Sequence, residues 1–311
     1  MRTRTRGVLS LWLGFLLCLS SSAFAGHAYS RLVVFGDSLS DPGNAFALTG
    51  QFSIRPFSLI PDAPYAIGGM HFSNGKTWAE VLAKDLRLPS GPAYRNPLVF
   101  TNYAVGGARA RSLSGVDLSD QVSLYLSSHN NHADPKALYA ILIGGNDIRD
   151  AIVAFQTDPS GAASVQILME AITSVATNIQ ALASAGAHTF LIGNAPNLAL
   201  VPAIIGQGAG AQDLAGVLSA QYNAFQGSTV AGLGKAFSLQ VDNLDVNGLL
   251  QSLVLFPKQL GLTDVKDSCI TPGVIVHAIC RDPDDYLFWD GIHPTHTVHE
   301  FLGKQAWQLV H

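Results

Sequence analysis

Short apolar runs rich in β-branched residues recur along the chain, and turn-forming residues bound each of them. Continuous apolar runs of this kind are typical of strands that are buried on both faces of a parallel sheet. Five segments fit the description: residues 32–35, 99–104, 138–143, 188–192 and 237–241. The pattern therefore predicts a parallel sheet of five strands.

Helical patterns separate these runs, and each pattern has one apolar face. The clearest face is followed by Gly186, which is placed to end the helix. Three such faces are formed by Val165, Leu168, Met169, Ile172, Val175, Ala176, Ile179 and Leu182; by Leu214, Val217, Leu218, Tyr222 and Phe225; and by Val298, Phe301, Leu302 and Trp307. Each face has to pack on the sheet. The alternation therefore predicts an α/β fold, a three-layer α/β/α sandwich around the five-stranded sheet.

The N-terminus has the pattern of a secretory signal peptide. Three arginines within residues 1–6 precede an apolar run over residues 8–19, and a small-residue stretch ends at Ala25. A membrane anchor is the alternative, but the run is shorter than the roughly 20 apolar residues that a bilayer requires. We expect residues 1–25 to be a signal peptide and residues 26–311 to be a single exported domain, periplasmic or secreted. No later apolar run approaches membrane-spanning length.

Charge and cysteine content narrow the classes of function. Removing the signal peptide takes away three arginines and no acids, so the formal net charge moves from −4 to −7. This balance disfavours general nucleic-acid binding. Cys269 and Cys280 then remain as an even pair in an oxidising compartment, where we expect a disulfide. Two unpaired buried thiols are the alternative.

Reactive and polarising groups follow the predicted strands. In an open parallel sheet, ligands bind beyond the carboxyl ends of the strands. Taken singly, each of these groups could serve only as a helix cap or in a tight turn. Together they supply a nucleophile, a base, an orienting carboxylate and oxyanion donors, which acyl transfer requires. They lie in residues 36–41, 102–107, 144–147 and 289–294.

These four blocks resemble the GDSL, or SGNH, hydrolase family, whose second name records Ser, Gly, Asn and His. Residues 71–78, 262–269 and 286–290 extend the similarity to the secreted bacterial lipase and esterase branch. That branch includes choline esterases and the passenger domains of autotransporter esterases. The resemblance spans nearly the whole chain after residue 25. It implies a flavodoxin-like sandwich and a serine ester hydrolase that needs no cofactor.

The resemblance also implies a role for each residue of the blocks. Ser38 matches the nucleophile, His293 the general base and Asp290 the carboxylate that orients the base. The oxyanion donors would be the backbone N–H groups of Ser38 and Gly107 and the side-chain amide of Asn146.

Several polar residues and one glycine near these blocks are not assigned to the catalytic set. Gly106 is the alternative to Gly107 if the register shifts by one residue. Asp37 and Asp41 are expected to organise the turn around the serine through backbone hydrogen bonds. His296 and His299 lack further metal ligands at a suitable spacing, so we expect solvated helix histidines and no metal site.

The substrate is expected to be a small ester with a short acyl group, since no apolar lid helix is evident. Trp289 adjoins Asp290, and its indole face could hold the quaternary ammonium of a choline ester by cation–π attraction. The alternative is that Trp289 packs in the core. A lipase, phospholipase or lipid acyltransferase on the same residues is the second hypothesis. A non-catalytic carbohydrate-binding domain is disfavoured by the intact blocks.

Overall fold

The computed structural model describes residues 29–311, and the predicted signal peptide, residues 1–25, lies outside them. Its main sheet has four parallel strands in the order β1-β2-β3-β4. Neighbouring strands pair without a shift, so their carboxyl ends align along one edge of the sheet. The strands are β1 (Leu32–Gly36), β2 (Leu138–Leu142), β3 (Thr189–Gly193) and β4 (Gln240–Leu244).

The second of the five predicted strands, residues 99–104, is not a strand, so the prediction of five strands was wrong. This segment forms one isolated bridge to β1. The side chain of Asn102 accepts the N–H of Ala104 at 3.0 Å and donates to the carbonyl of Ser40 at 2.8 Å. The Asn44 amide donates to the carbonyls of Asn102 and Ala104, both at 2.8 Å. The segment still bonds to β1: the Val34 N–H donates to the Thr101 carbonyl at 2.9 Å, and the Tyr103 N–H donates to the Val34 carbonyl at 2.7 Å. The Gly36 N–H, which would continue this ladder, donates instead to Gln121 Oε1 at 2.9 Å. The pairing with β1 is therefore limited to one bridge.

Nine α-helices lie within the described residues, and the three predicted apolar faces fall on α5, α7 and α9. Val165, Met169 and Val217 are 40%, 46% and 55% exposed, so these faces are narrower than predicted. Within residues 29–311 no helix is both long and apolar enough to cross a bilayer. The helices are α1 (Asn44–Thr49), α2 (Trp78–Asp85), α3 (Leu118–Ser128), α4 (Gly145–Thr157), α5 (Ala162–Ser184), α6 (Pro202–Ile205), α7 (Ala209–Phe237), α8 (Val246–Leu255) and α9 (His296–Val310).

Helices cover both faces of the sheet. Successive side chains of β1 alternate between two apolar clusters: Val33 and Phe35 belong to one, and Leu32 and Val34 to the other. The first cluster includes residues of α3, α4, α5 and α7, whereas the second includes residues of α2 and α9. The predicted α/β architecture with a parallel sheet between helical layers is therefore confirmed.

A second, two-stranded parallel sheet was not predicted from the sequence. It consists of β5 (Asp264–Ser268) and β6 (Tyr286–Phe288). The predicted disulfide between Cys269 and Cys280 is present and follows β5 directly. Strand β6 leads into the segment that contains Asp290, so the small sheet fixes the path of that segment.

Candidate active site

Ser38 lies in a tight turn just beyond the carboxyl end of β1. The turn is closed by two hydrogen bonds to Asp37: the Ser40 N–H donates to its carbonyl, and the Leu39 N–H donates to its Oδ1, both at 3.0 Å. These contacts confirm that Asp37 organises the turn. They hold the Ser38 side chain at the edge of the sheet where the strand ends align.

Asp290 and His293 are joined by a turn that folds back on itself. Asp290 Oδ1 accepts the N–H groups of Ile292 at 2.9 Å and His293 at 2.8 Å. The same carboxylate reaches His293 Nδ1, at 2.8 Å from Oδ2 and 3.0 Å from Oδ1. Because an ionised carboxylate can only accept hydrogen bonds, Nδ1 is the protonated nitrogen. His293 Nε2 is therefore left as an acceptor.

A hydrogen bond also joins His293 to Ser38. His293 Nε2 lies 2.8 Å from Ser38 Oγ, although the two residues are 255 positions apart in the chain. Asp290 and His293 are 1% and 3% exposed, and the Phe72 ring lies 5.3 Å from the imidazole. The structure thus brings the three predicted side chains into one hydrogen-bonded line, in which Asp290 and His293 are buried and Ser38 is half-buried.

Asp41 connects the turn around Ser38 to the glycine segment, residues 106–108. Its carboxylate accepts N–H groups from the start of α1 and, at 2.8 Å, the N–H of Gly106. Gly107 has φ of +82°, a left-handed conformation that favours glycine. Within residues 29–311 the Gly107 N–H donates to no protein acceptor. These observations favour Gly107 over Gly106 as an oxyanion donor.

Asn146 lies in the first turn of α4 and contacts the glycine segment, residues 106–108, through Ala108. Its Nδ2 donates to the carbonyl of Ala108 at 2.9 Å, one residue after Gly107, and leaves its second hydrogen for another acceptor. The next residue, Asp147, is buried and accepts from Arg111 Nε at 2.9 Å. The glycine segment and the N-terminus of α4 are therefore held together by side-chain hydrogen bonds.

Burial changes the ionisation of several groups around the serine. It raises the pKa of Asp37 to about 6, against the opposing effect of the Leu39 N–H, and raises the pKa of Asp41 to about 6 as well. Burial disfavours the charged form of a carboxyl group, and the hydrogen bonds recover part of that loss. Both acids therefore carry less negative charge near pH 6 than exposed acids would.

His299 is buried, so the prediction that it is a solvated helix residue was wrong. It is 1% exposed, and its Nδ1 lies 3.3 Å from the Trp78 N–H, which donates to it. Burial lowers the pKa of His299 to about 3. The apolar face of α9 is therefore wide enough to include this neutral imidazole, whereas His296 is partly exposed at the start of the helix.

A cavity of about 320 Å³ adjoins Ser38, Asn146 and His293. Its walls are mostly apolar and come from four helices. The apolar lining residues are Ile152 and Val153 of α4, Ala203 and Ile204 of α6, Val246, Leu249 and Leu250 of α8, and Val298 and Leu302 of α9, with Ile60, Leu198, Val201, Phe288 and Ile292 from other segments. Pockets of this size and polarity are typical of small-molecule sites.

Trp289 does not line this cavity, so its predicted contact with a quaternary ammonium was wrong. The side chain is fully buried in a separate cluster with Phe57 and Cys269, and its ring packs edge-on against Tyr65 at 5.6 Å. Adjacent residues of an extended chain point to opposite sides. Phe288 faces the cavity, and Trp289 faces away from it.

Three residues near the site were not predicted from the sequence. Tyr65 donates to Asp290, Gln121 bonds both backbone groups of Gly36, and Arg149 lines the cavity. Arg149 follows Asn146 by three positions, and that helical spacing could have identified it. Tyr65 and Gln121 meet their partners only through the tertiary fold, and no local spacing signals them.

Comparisons with known proteins place the chain in a family. The model of the GDSL-like Lipase/Acylhydrolase family matches residues 32–306. A GDSL esterase/lipase of Arabidopsis thaliana is 27% identical over 92% of this chain and 90% of its own length. The thermolabile hemolysin of Vibrio parahaemolyticus is 26% identical over 92% of this chain and 65% of its own length. Lipase 1 of Photorhabdus luminescens is 32% identical, but the match covers 61% of this chain and 26% of that protein.

Among solved structures, an acetyl xylan esterase variant from Geobacillus stearothermophilus superimposes with a TM-score of 0.47 at 13% identity, covering 90% of this chain and 94% of that chain. The family model spans far more than half of the described residues and includes all four blocks. The chain therefore belongs to the GDSL-like lipase/acylhydrolase family and is a serine ester hydrolase.

Proposed function

We propose that Ser38, His293 and Asp290 form a catalytic triad that cleaves carboxylic esters through an acyl-enzyme. The observation that carries this proposal is the 2.8 Å contact between His293 Nε2 and Ser38 Oγ. His293 Nε2 takes the hydroxyl proton while Ser38 Oγ bonds to the ester carbonyl carbon, and Asp290 stabilises the imidazolium that results. The imidazolium then protonates the leaving alcohol. Water repeats the sequence on the acyl-serine and releases the acid.

The negative charge on the carbonyl oxygen would be stabilised by three N–H donors: the backbone of Ser38, the backbone of Gly107 and the side chain of Asn146. Two observations support this assignment. Gly106, the alternative donor, has its N–H committed to Asp41, and the Asn146 amide is held beside the glycine segment by Ala108. Donors fixed before the reaction cost no reorganisation as charge develops.

The apolar cavity supports a longer acyl group than the short one expected from the sequence. A dry apolar cavity of about 150 Å³ accommodates benzene. A cavity of about 320 Å³ is roughly twice that size, enough for about twelve carbon atoms by the same measure. We therefore extend the proposed substrates from short acyl esters to esters of medium-chain acids, with the chain lying between α4, α6 and α8.

A lipase or lipid acyltransferase on the same triad is the second candidate, and the apolar cavity also favours it. Hydrolysis and acyl transfer share the acyl-serine intermediate. They differ in whether water or an alcohol accepts the acyl group. Product analysis with an added alcohol would separate them, because a transferase yields the new ester in preference to the free acid. The choline ester and the choline-esterase-like branch remain predictions, without the support of Trp289.

We also propose that the protein is exported, to the periplasm or beyond, and that residues 26–311 form its single mature domain. The N-terminal charge and apolar pattern and the Cys269–Cys280 disulfide support this proposal, since disulfides persist in oxidising compartments. Localising the full-length protein after expression, and sequencing its mature N-terminus, would test it.

The proposed function is tested by Ser38→Ala assayed on nitrophenyl acetate, butyrate, octanoate and laurate. We expect activity on every ester to fall by at least about a thousandfold. Ser228→Ala, at an exposed position of α7, is the matched control and should retain full activity. Full activity in Ser38→Ala would refute the triad. In the wild type, a kcat/KM that falls steadily from acetate to octanoate would refute the proposed acyl cavity.

A further inference from the structure

The side chain of Phe72 contacts two parts of the candidate site, although it does not line the cavity. Its ring is buried, and the ring centroid lies 5.3 Å from that of the His293 imidazole, with the two planes tilted by 44°. A Cβ added to Gly106 would overlap the Cε2 and Cζ atoms of the same ring. Phe72 therefore lies between the imidazole and the glycine segment.

Apolar neighbours fix the Phe72 ring. Phe72 forms a small buried cluster with Ala45 of α1 and Val105, the residue before the glycine segment. The Val105 N–H donates to the Gly36 carbonyl at 3.1 Å, at the end of β1. Because protein interiors are close-packed, a ring seated on this backbone cannot move freely. The imidazole of His293 therefore packs against a fixed surface.

The two residues that follow Phe72 bond to the segment that carries the imidazole. Ser73 Oγ donates to the Pro294 carbonyl at 2.8 Å. The side-chain oxygen of Asn74 accepts the N–H of His296 at 2.7 Å. These bonds join the two segments on the C-terminal side of the aromatic contact, so the ring and the imidazole are held in one register.

His71, which precedes Phe72, has an acceptor at each ring nitrogen. Its Nδ1 lies 2.6 Å from the Gly68 carbonyl, and its Nε2 lies 2.7 Å from Glu80 Oε2. Burial lowers the pKa of His71, but the Glu80 carboxylate raises it by more, so the pKa lies above its ordinary value. The resulting imidazolium donates at both nitrogens. The chain is therefore anchored on both sides of Phe72.

We propose that Phe72 is a positioning residue, whose ring holds the His293 imidazole in line with Ser38 and at a fixed distance from the glycine segment. This inference rests on the proposed function of Ser38 and His293. Asp290 bonds the imidazole at Nδ1, a contact about which the imidazole could still tilt. The packed ring of Phe72 restricts that tilt. The restriction matters because a misplacement of about 1 Å can cost a reaction about a hundredfold in rate.

The variant Phe72→Leu keeps an apolar side chain and removes the ring. We expect kcat on nitrophenyl octanoate to fall about tenfold or more, because the imidazole is no longer held in line. KM should stay within about threefold, since Phe72 does not line the cavity. Phe190→Leu removes another buried ring, in β3, and is the matched control: it should lower stability and leave kcat unchanged. Wild-type kcat in Phe72→Leu, or an equal loss in Phe190→Leu, would overturn the proposal.

A double-mutant cycle with Gly106 tests the contact itself. Gly106→Ala places a methyl group where the Phe72 ring lies, and it should lower kcat by displacing that ring. Leucine lacks the Cε2 and Cζ atoms, so the double variant Gly106→Ala with Phe72→Leu should have the kcat of Phe72→Leu alone. Losses that multiply in the double variant would show that the ring does not connect the glycine segment to the imidazole, and the proposal would fail.

Crystal structures of the wild type and of Phe72→Leu separate this proposal from the proposed reaction. In the wild type the His293 imidazole should occupy one conformation, bonded to Asp290 and Ser38. In Phe72→Leu it should be displaced or occupy two conformations. An imidazole that keeps its single wild-type position in Phe72→Leu would refute the positioning role, whether or not the wild type hydrolyses esters.

Discussion

The hydroxyl of Tyr65 donates a hydrogen bond to Asp290 Oδ2 at 3.1 Å, and both side chains are buried. Burial, followed by the negative charge of Asp290, raises the pKa of Tyr65 far above its ordinary value. Tyr65 therefore stays protonated and remains a donor. Its segment also leads to Phe72, which packs against the ring of His293. One stretch of chain thus supports both the carboxylate and the imidazole.

Removing this hydroxyl should slow catalysis without greatly changing substrate binding. We expect Tyr65→Phe to lower kcat about fivefold, the equivalent of roughly 1 kcal/mol for one hydrogen bond. KM should change little because Tyr65 does not line the cavity. Tyr29→Phe removes a comparable hydroxyl bond, to the Val310 carbonyl, and is the control. Equal kcat values for the two variants would show that the Tyr65 contact is not functional.

Loss of the Asn146 amide should reduce turnover more strongly. In Asn146→Ala we expect kcat to fall about a hundredfold or more while KM stays within about threefold, because the donor acts on charge that develops in the transition state. Asn178→Ala removes another buried amide, at a distance in α5, and should affect stability without reducing kcat. An unchanged kcat in Asn146→Ala, or equal losses in both variants, would contradict the assigned role.

The sequence predicted most of the candidate site because its residues sit in short blocks at strand ends. Asp290 and His293 are three positions apart, so one turn suffices to join them, and the parallel strands β1 and β2 bring Ser38 and Asn146 to the same edge. Which glycine of residues 102–107 is free to donate its N–H depends on tertiary contacts. Gly106 and Gly107 are equivalent in the sequence, and the bond from Gly106 to Asp41 separates them.

The errors have a common physical origin in long-range contacts. Residues 99–104 have the apolar pattern of a strand, but the distant Gln121 takes the Gly36 N–H that would extend their pairing with β1. Trp289 adjoins Asp290 in sequence, yet the extended chain directs it to the other side. Tyr65 is 225 positions from Asp290, a distance at which a single sequence contains no pairing signal.

The buried imidazole of His299 should make the protein sensitive to acid. Its folded-state pKa of about 3 lies below the unfolded value of about 6.5. The unfolded state therefore binds a proton first, and the free energy of unfolding falls as the pH drops from about 6.5 towards 3. At pH 5 this one group should cost about 2 kcal/mol relative to pH 7.

The change in that pH dependence can be measured with His299→Asn, whose side-chain oxygen can still accept from Trp78. Urea unfolding at pH 7 and pH 5 should show that the variant loses about 2 kcal/mol less than the wild type between the two values. The pKa values of Asp37 and Asp41 are raised to about 6, so these two acids increase the free energy of unfolding as the pH falls. Both proteins contain them, so their contribution does not enter the difference between variant and wild type. His132→Asn, at an exposed position, should behave as the wild type. The same loss in His299→Asn would contradict the assignment of a neutral histidine.

The disulfide should stabilise the segment that carries Asp290. Cys269 and Cys280 are 11 positions apart, and closing a loop of this length contributes about 3 kcal/mol in the chain-entropy model. The double variant Cys269→Ser with Cys280→Ser should unfold at correspondingly lower urea concentration. Reducing agent should destabilise the wild type and leave the double variant unaffected. A reductant effect on the double variant would show that the disulfide is not its cause.

The most direct test of the triad is to label the protein with a fluorophosphonate, which reacts with activated serines, and to map the adduct by peptide mass spectrometry. We expect one adduct, on Ser38, formed in the wild type and absent from His293→Ala, in which the hydroxyl loses its base. An adduct on a different residue, or labelling of His293→Ala at the wild-type rate, would contradict the triad.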